Sequence, residues 1–225
     1  MVEYNAPIRD YDFLFNEMFD AIPIAQRLGY DFDSDFFSML TEGWADHTKE
    51  VWLPINQLGD REGLKFNDGN ISMPIEFKSA YDKSKEGGWL STACKPEHGG
   101  MGVPVFFQAV TWAEIGTSTN MAMSVLPALT LGVYDVLIEH GESSLVDYFA
   151  THLASGDWSG TMCLTEPHAG TDLGIISTKA VPQDDGTYRV TGTKIFITYG
   201  EHDMTENIVH LVLAKTPDAP EGTKG

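Results

Sequence analysis

The residues best suited to chemistry lie between Met162 and Gly174, in the run MCLTEPHAGTDLG. Thr165 and Thr171 each bring a hydroxyl that both donates and accepts. Glu166 and Asp172 bring acceptors able to fold back onto loop amides. Pro167 removes a donor and stiffens the turn, and Gly170 permits a backbone conformation or close approach that a side chain would forbid. Such a loop can present several N–H groups to one polar or anionic ligand. The same composition also suits a capped turn between a strand and the next element, and short turn motifs do not separate the two. Downstream, Gly192 to Thr198, GTKIFIT, reads as an alternating strand whose last residues, Phe196, Ile197 and Thr198, are placed to cover a planar ring.

Other chemistries are disfavoured. His98, His168, His202 and His210, with Glu201 and Asp203, invite a metal reading. No pair has zinc spacing on a common helix, and Cys94 stands far from Cys163, so no metal is expected. Met121 and Met123 beside Leu126 read as core filling. The net charge of −19 has the wrong sign for nucleic acid or an anionic membrane. It reads as a solvated acidic surface, with a salty environment or a basic protein partner as the alternative. Two cysteines make no disulfide framework and point to a reducing compartment. The N-terminal MVEYNAPIRDYDF has neither a basic n-region nor an apolar h-region, so no signal peptide is read there and a cytoplasmic setting is expected. The longest apolar stretch, Met121 to Ile138, is interrupted by Pro127, Asp135 and several hydroxyls. It is expected to be a buried helix pair in a soluble core, without stable membrane insertion.

The elements that must position the loop follow from periodicity. An acidic, aromatic leader carries a short helix over Tyr11–Asp20. A helix capped by Asp33 or Ser34 runs to about Leu53, where Pro54 is expected to end it. Gly59 to Asn70 is polar and turn-rich. A helix from Pro74 through Lys85 breaks at Gly87-Gly88. After the loop Lys95–Pro104, helices are expected over Val105–Gly116, from Met121, and over Ser143–Leu153. Beyond Ser155-Gly156-Asp157 the pattern becomes short strands: Gly160–Leu164, Ile176–Pro182, Tyr188–Thr191, Thr193–Thr198 and Asn207–Lys215. The Asp185-Gly186 pair marks a hairpin. The fold class is therefore α+β, an all-helical unit followed by a partial β-barrel-like unit. The expected divisions are an N-terminal extension over 1–35, a helical domain over 36–156 and a β domain over 157–225.

These motifs resemble the acyl-CoA dehydrogenase family. Its pattern of a small residue, an aliphatic, Ser or Thr, Glu, two free positions, a small residue, Gly, Ser or Thr, and Asp is matched in order. The matching residues are Cys163, Leu164, Thr165, Glu166, Ala169, Gly170, Thr171 and Asp172. The small residue usual three positions after the Asp is Ile175 here, with Gly174 taking over its role by a local shift. Gly192, Lys194, Phe196, Ile197 and Thr198 match the second motif, with Phe where Trp is commonest. Lys95 to Gly102 resembles the family's Pro-Glu-x-x-Gly-Gly-x-Gly loop, and Leu153 to Asp157 its Ser-Gly-Glu lead-in. A narrower resemblance joins Tyr4–Asp10, Gly59–Gly63 and Gly200–Ile208 to a subfamily that includes 3-methylmercaptopropionyl-CoA dehydrogenases of dimethylsulfoniopropionate breakdown.

The resemblance implies FAD as cofactor, held by Met162, Cys163, Leu164, Thr165, Gly170, Thr171, Phe196, Ile197 and Thr198. Thr165 would reach the flavin N5 edge, and Thr171 would contact the acyl-CoA substrate. It implies formation of an α,β double bond, with a carboxylate removing the α-proton while the β-hydrogen leaves as hydride to the flavin. The implied base lies in a C-terminal helical domain beyond Gly225, so no catalytic residue is assigned within the chain, which by itself is expected to be inactive. Glu166 is expected to order the loop rather than act as base. An electron-transferring flavoprotein would take the electrons, and the assembly would be a homodimer or homotetramer. An acyl-CoA oxidase or flavin monooxygenase relative, and a non-catalytic flavin- or acyl-CoA-binding module, are the alternatives.

Overall fold

The computed structural model describes residues 3–224. The leader forms α1 (Ile8–Asp12), which runs into a π-helical turn over Phe13–Met18, and then α2 (Ala21–Arg27). The expected Tyr11–Asp20 helix thus starts earlier, and it stops where Asp20 takes a left-handed φ of 47°. Phe15 of this leader stacks on Phe37, with ring centroids 4.9 Å apart, so the segment is part of the core.

Helix α3 (Ser34–His47) begins at Asp33, whose Oδ1 accepts from Phe36 N–H at 2.7 Å. It buries Phe37, Leu40 and Trp44. Pro54 does not end the helical path. Residues Thr48–Trp52 take π pitch, and α4 (Leu53–Glu62) starts next with Pro54 in its first turn. The shift to π pitch just before the proline changes the hydrogen-bond register where Pro54 has no N–H to give, so the path continues. The segment expected to be merely turn-rich folds as a hairpin, β1 (Lys65–Asn67) against β2 (Asn70–Ser72). Its turn, Asp68-Gly69, has φ of 48° and 89°, the positive pair that suits a two-residue hairpin.

Helix α5 (Ile75–Glu86) packs next to a cluster in which Trp44 meets Trp52, Trp89 and Trp112. Trp44 stacks on Trp112 at 4.8 Å and meets Trp52 edge-on at 4.8 Å. Three of the indole N–H groups find acceptors: Trp44 donates to Trp112 O, Trp52 to Ser84 Oγ, and Trp112 to Trp89 O. A short turn, α6 (Val105–Phe107), leads through a second π segment into α7 (Ala113–His140). Asn120 interrupts α7 with φ −159° and ψ 100°. Its Oδ1 accepts from Met123 N–H, so it caps the second half, and its Nδ2 donates to Trp52 O. From Met121 onward there is one helix rather than the expected pair. Pro127 removes a ladder bond without ending it. By length and composition alone α7 is long and apolar enough to cross a membrane, a test that a buried core helix also passes. In the structure it buries Met123, Leu126, Leu131, Val133 and Tyr134.

Helix α8 (Ser143–Ser155) closes the helical part, and β3 (Trp158–Cys163) lies against α7. Gly160 explains the closeness: a Cβ there would stand 2.8 Å from Val133 Cβ, and Gly160 N–H donates to Thr130 Oγ1. The β4 (Lys179–Pro182) and β5 (Tyr188–Thr191) strands form the expected antiparallel hairpin, and β6 (Asn207–Val212) pairs parallel with β3, Trp158 opposite Asn207. Thr193–Thr198 is not a strand. Phe196 and Tyr199 hold left-handed φ of 56° and 53°, which no ladder accommodates.

Candidate functional site

Glu166 organises the loop. Its carboxylate is 2% exposed. Oε2 accepts from Ser177 N–H at 2.7 Å and Ser177 Oγ at 2.8 Å. Oε1 accepts from Thr178 N–H at 2.9 Å, Thr178 Oγ1 at 2.5 Å and Lys194 Nζ at 2.9 Å. Burial alone would push this carboxyl up. The donors from Thr178, Ser177 and Lys194 outweigh it and hold the group well below the usual carboxylate range. Glu166 is therefore an ionised crosslink, with its acceptor sites filled.

The crosslink joins the two motifs. Lys194 also donates to Leu164 O at 2.9 Å, and Ile195 N–H donates to Thr165 O at 2.9 Å. Gly192 lets the chain pass Thr178, since a Cβ there would lie 2.2 Å from Thr178 Oγ1 and 2.8 Å from its Cα. Thr178 cannot move aside while it donates to Glu166. Asp172 folds back as expected, its Oδ1 accepting from Gly174 N–H at 2.9 Å. Gly174 is crowded, with Asp172 Oδ1 and Gly222 Cα within 3.2 Å of where a Cβ would be.

The residues expected to hold a ring are brought into two groups. Met162, Cys163, Leu164 and Thr165 end β3 and enter the loop, with Cys163 buried and the others half-buried. Gly170 and Thr171 lie exposed at the loop's outer turn. Gly170 does not behave as expected within the chain: its φ is not left-handed, and a Cβ would meet nothing within 4 Å. Its openness leaves room beside the loop amides. Phe196 is 89% exposed, held outward by its left-handed backbone. Ile197 and Thr198 line a cavity of about 630 Å³ with Phe77, Ile71, Asn120 and Tyr199.

Several contributors have no signal in spacing alone. Ser177 and Thr178 look like ordinary strand-edge residues, and only the fold turns their N–H and hydroxyl groups onto Glu166. Tyr199 OH donates to Ala122 O at 2.8 Å and so ties the second motif to α7. Among the described residues no group of three or more His, Cys, Asp or Glu side chains is arranged to hold a metal.

The helical layer set on short strands is a known architecture. An acyl-CoA dehydrogenase complexed with FAD from Bacillus anthracis superposes with a TM-score of 0.66 at 23% identity, over 83% of this chain and 30% of that one, which defines the fold class. Residues 161–224 match the acyl-CoA dehydrogenase middle-domain family. A 3-methylmercaptopropionyl-CoA dehydrogenase of Ruegeria pomeroyi is 43% identical over 99% of this chain, and a butyryl-CoA dehydrogenase of Syntrophomonas wolfei is 36% identical over 96%. The chain belongs to the acyl-CoA dehydrogenase family. It spans 38% and 36% of the length of those two relatives.

Proposed function

We propose that this chain carries the flavin-holding part of an FAD-dependent acyl-CoA dehydrogenase. One observation carries the reading. Phe196, a large apolar side chain, is 89% exposed on a left-handed backbone, next in the chain to Ile195, whose N–H donates to Thr165 O. Exposing phenyl area and straining φ both cost free energy, and a planar ring stacked under the phenyl group offsets them. The chain fits such a group: Thr165 and Thr198 supply hydroxyls, and the loop after Pro167 supplies amides. Bound FAD would supply hydride acceptance. Thr165, Thr198 and Phe196 would hold it, and Thr171 would contact the acyl-CoA.

Glu166 takes no part as base, because its oxygens are saturated by donors and its proton affinity is depressed. The substrate proposed is an acyl-CoA. A sulfur-containing propionyl thioester, as in dimethylsulfoniopropionate degradation, is favoured by the 43% identity to the Ruegeria pomeroyi relative. An electron-transferring flavoprotein as acceptor and assembly as a homodimer or homotetramer belong to the same reading. So does a cytoplasmic setting, which the two free, buried thiols Cys94 and Cys163 support.

The test is a visible spectrum of the purified chain with added FAD, followed by titration with 3-methylmercaptopropionyl-CoA and butyryl-CoA. A perturbed flavin band supports the cradle. A spectrum identical to free FAD at every protein concentration sinks it. Bleaching by either thioester would place the base within these residues and overturn the structural role given to Glu166.

A further inference from the structure

His202 is buried at the foot of β3, in the loop that follows the second motif. Its Nδ1 accepts from Met204 N–H at 3.2 Å, so that nitrogen carries a lone pair and the ring's one proton is on Nε2. Nε2 lies 3.0 Å from Ser159 Oγ, and Ser159 Oγ lies 3.2 Å from Thr205 Oγ1. Thr205 Oγ1 donates to Asn207 O at 3.0 Å. Each hydroxyl has one hydrogen to give. The network therefore has one direction: His202 Nε2–H to Ser159, Ser159 to Thr205, and Thr205 to the first residue of β6.

The same loop is pinned to the helical unit. Asp203 Oδ1 accepts from Met73 N–H at 2.9 Å, Met204 O accepts from Lys78 Nζ at 3.3 Å, and Met204 itself is buried. Tyr199, which meets the His202 ring edge-on at 5.5 Å, is in turn bonded to α7. Left-handed residues such as Phe196 and Tyr199 persist only where surrounding contacts over-determine them. The contact that ties this segment to His202 is the Tyr199 ring, set edge-on to the imidazole.

We propose that His202 is a positioning residue, a latch whose neutral Nε2–H form holds the Phe196–Tyr199 segment in its strained shape and whose protonation releases it. The consequence for a cofactor rests on the flavin reading above, but the latch does not. An imidazolium would point Nδ1–H at Met204 N–H, two donors with no acceptor between them, and reverse nothing else in the chain. The charges acting on the ring are the carboxylates of Glu201 and Asp203 on its own loop, the Tyr199 ring and the neutral hydroxyls of Ser159 and Thr205 surround it, and the Lys78 ammonium of α5 is engaged by Met204 O. Burial lowers the ring's proton affinity against the pull of the two carboxylates. The latch is therefore closed at neutral pH and opens on acidification.

Nuclear magnetic resonance of the full chain tests this from pH 7.5 down to the onset of acid unfolding. The expected result is an Nε2–H tautomer for His202 at neutral pH. Its titration should move the Met204 amide together with the Phe196 and Tyr199 rings. His202→Gln, which keeps an N–H toward Ser159 and does not titrate, should hold those rings in the neutral-state position at every pH. His202→Phe should show the released position throughout. FAD affinity should fall roughly tenfold in the wild type as the latch opens, the size of an ordinary coupling between two sites, and stay flat in His202→Gln. A Met204 amide that ignores the His202 titration, or a His202→Phe chain with Phe196 and Tyr199 unmoved, overturns the proposal. If the rings follow His202 but FAD binds at no pH, the latch stands and the flavin reading fails.

Discussion

At the scale of single residues, Glu166 and Phe196 are opposite cases. Glu166 is buried and fully paired, so its removal leaves Lys194 and the donors of Ser177 and Thr178 without their acceptor. Glu166→Gln should destabilise the chain by about 3 kcal/mol, the usual cost of breaking a buried, hydrogen-bonded ion pair, read as a lower midpoint in urea. The pH dependence follows from the depressed carboxyl. Its stabilisation is full above the unfolded Glu value of about 4.3 and is lost as pH falls through the lower folded value. An acid-unfolding profile that is the same for wild type and Glu166→Gln would refute this. Phe196 is exposed and strained, so Phe196→Gly should relieve about 1 kcal/mol of left-handed strain while weakening flavin binding. A loss of stability in that variant would show that the phenyl ring packs on the chain rather than waiting for a ligand.

At the scale of elements, contacts between distant segments decide what local pattern leaves open. His47 of α3 lies 2.8 Å from Ser84 Oγ of α5 and stacks on Trp44. Burial, with a smaller push from the Lys83 charge, lowers its pKa to about 4. Stability should then be lost as pH falls from about 6.5, the unfolded value, toward that folded value. Tryptophan emission should report the step, and His47→Gln should remove it. The hairpin at Asp185-Gly186 and the helices α3, α5 and α8 were legible in the sequence because caps, periodicity and turn residues agree locally. Pro54 was read as a stop because the π segment before it has no simple sequence mark. Thr193–Thr198 was read as a strand because its alternation is strand-like. The backbone instead follows the bonds of Lys194 and Ile195 to the loop and the space beside Thr178.

At the scale of the whole molecule, the charge of −19 is spread over a chain with few buried ion pairs among the described residues. Self-repulsion of like charges should be screened by salt. The thermal midpoint is therefore expected to rise between 0.02 and 0.3 M sodium chloride by roughly a few degrees, the size of a 1 kcal/mol change in a domain of this length. A midpoint that falls with salt would mean that attractive surface pairs dominate. The molecule also shows why the loop and the second motif belong together. They are far apart in the chain, yet Lys194, Ile195 and Glu166 join them, and Tyr199 fixes the joint to α7.

The sequence by itself determined the order of a helical unit before a β unit, the two motifs, the family they resemble and the ordering role of Glu166. Each rests on residue types at short spacing, where side-chain chemistry and local backbone preference suffice. Tertiary structure alone decided the partners of Glu166, the obligatory absence of a side chain at Gly192, the outward set of Phe196 and the directed network of His202. Those depend on groups distant in the chain meeting within hydrogen-bonding distance, and no local pattern encodes which donor faces which acceptor.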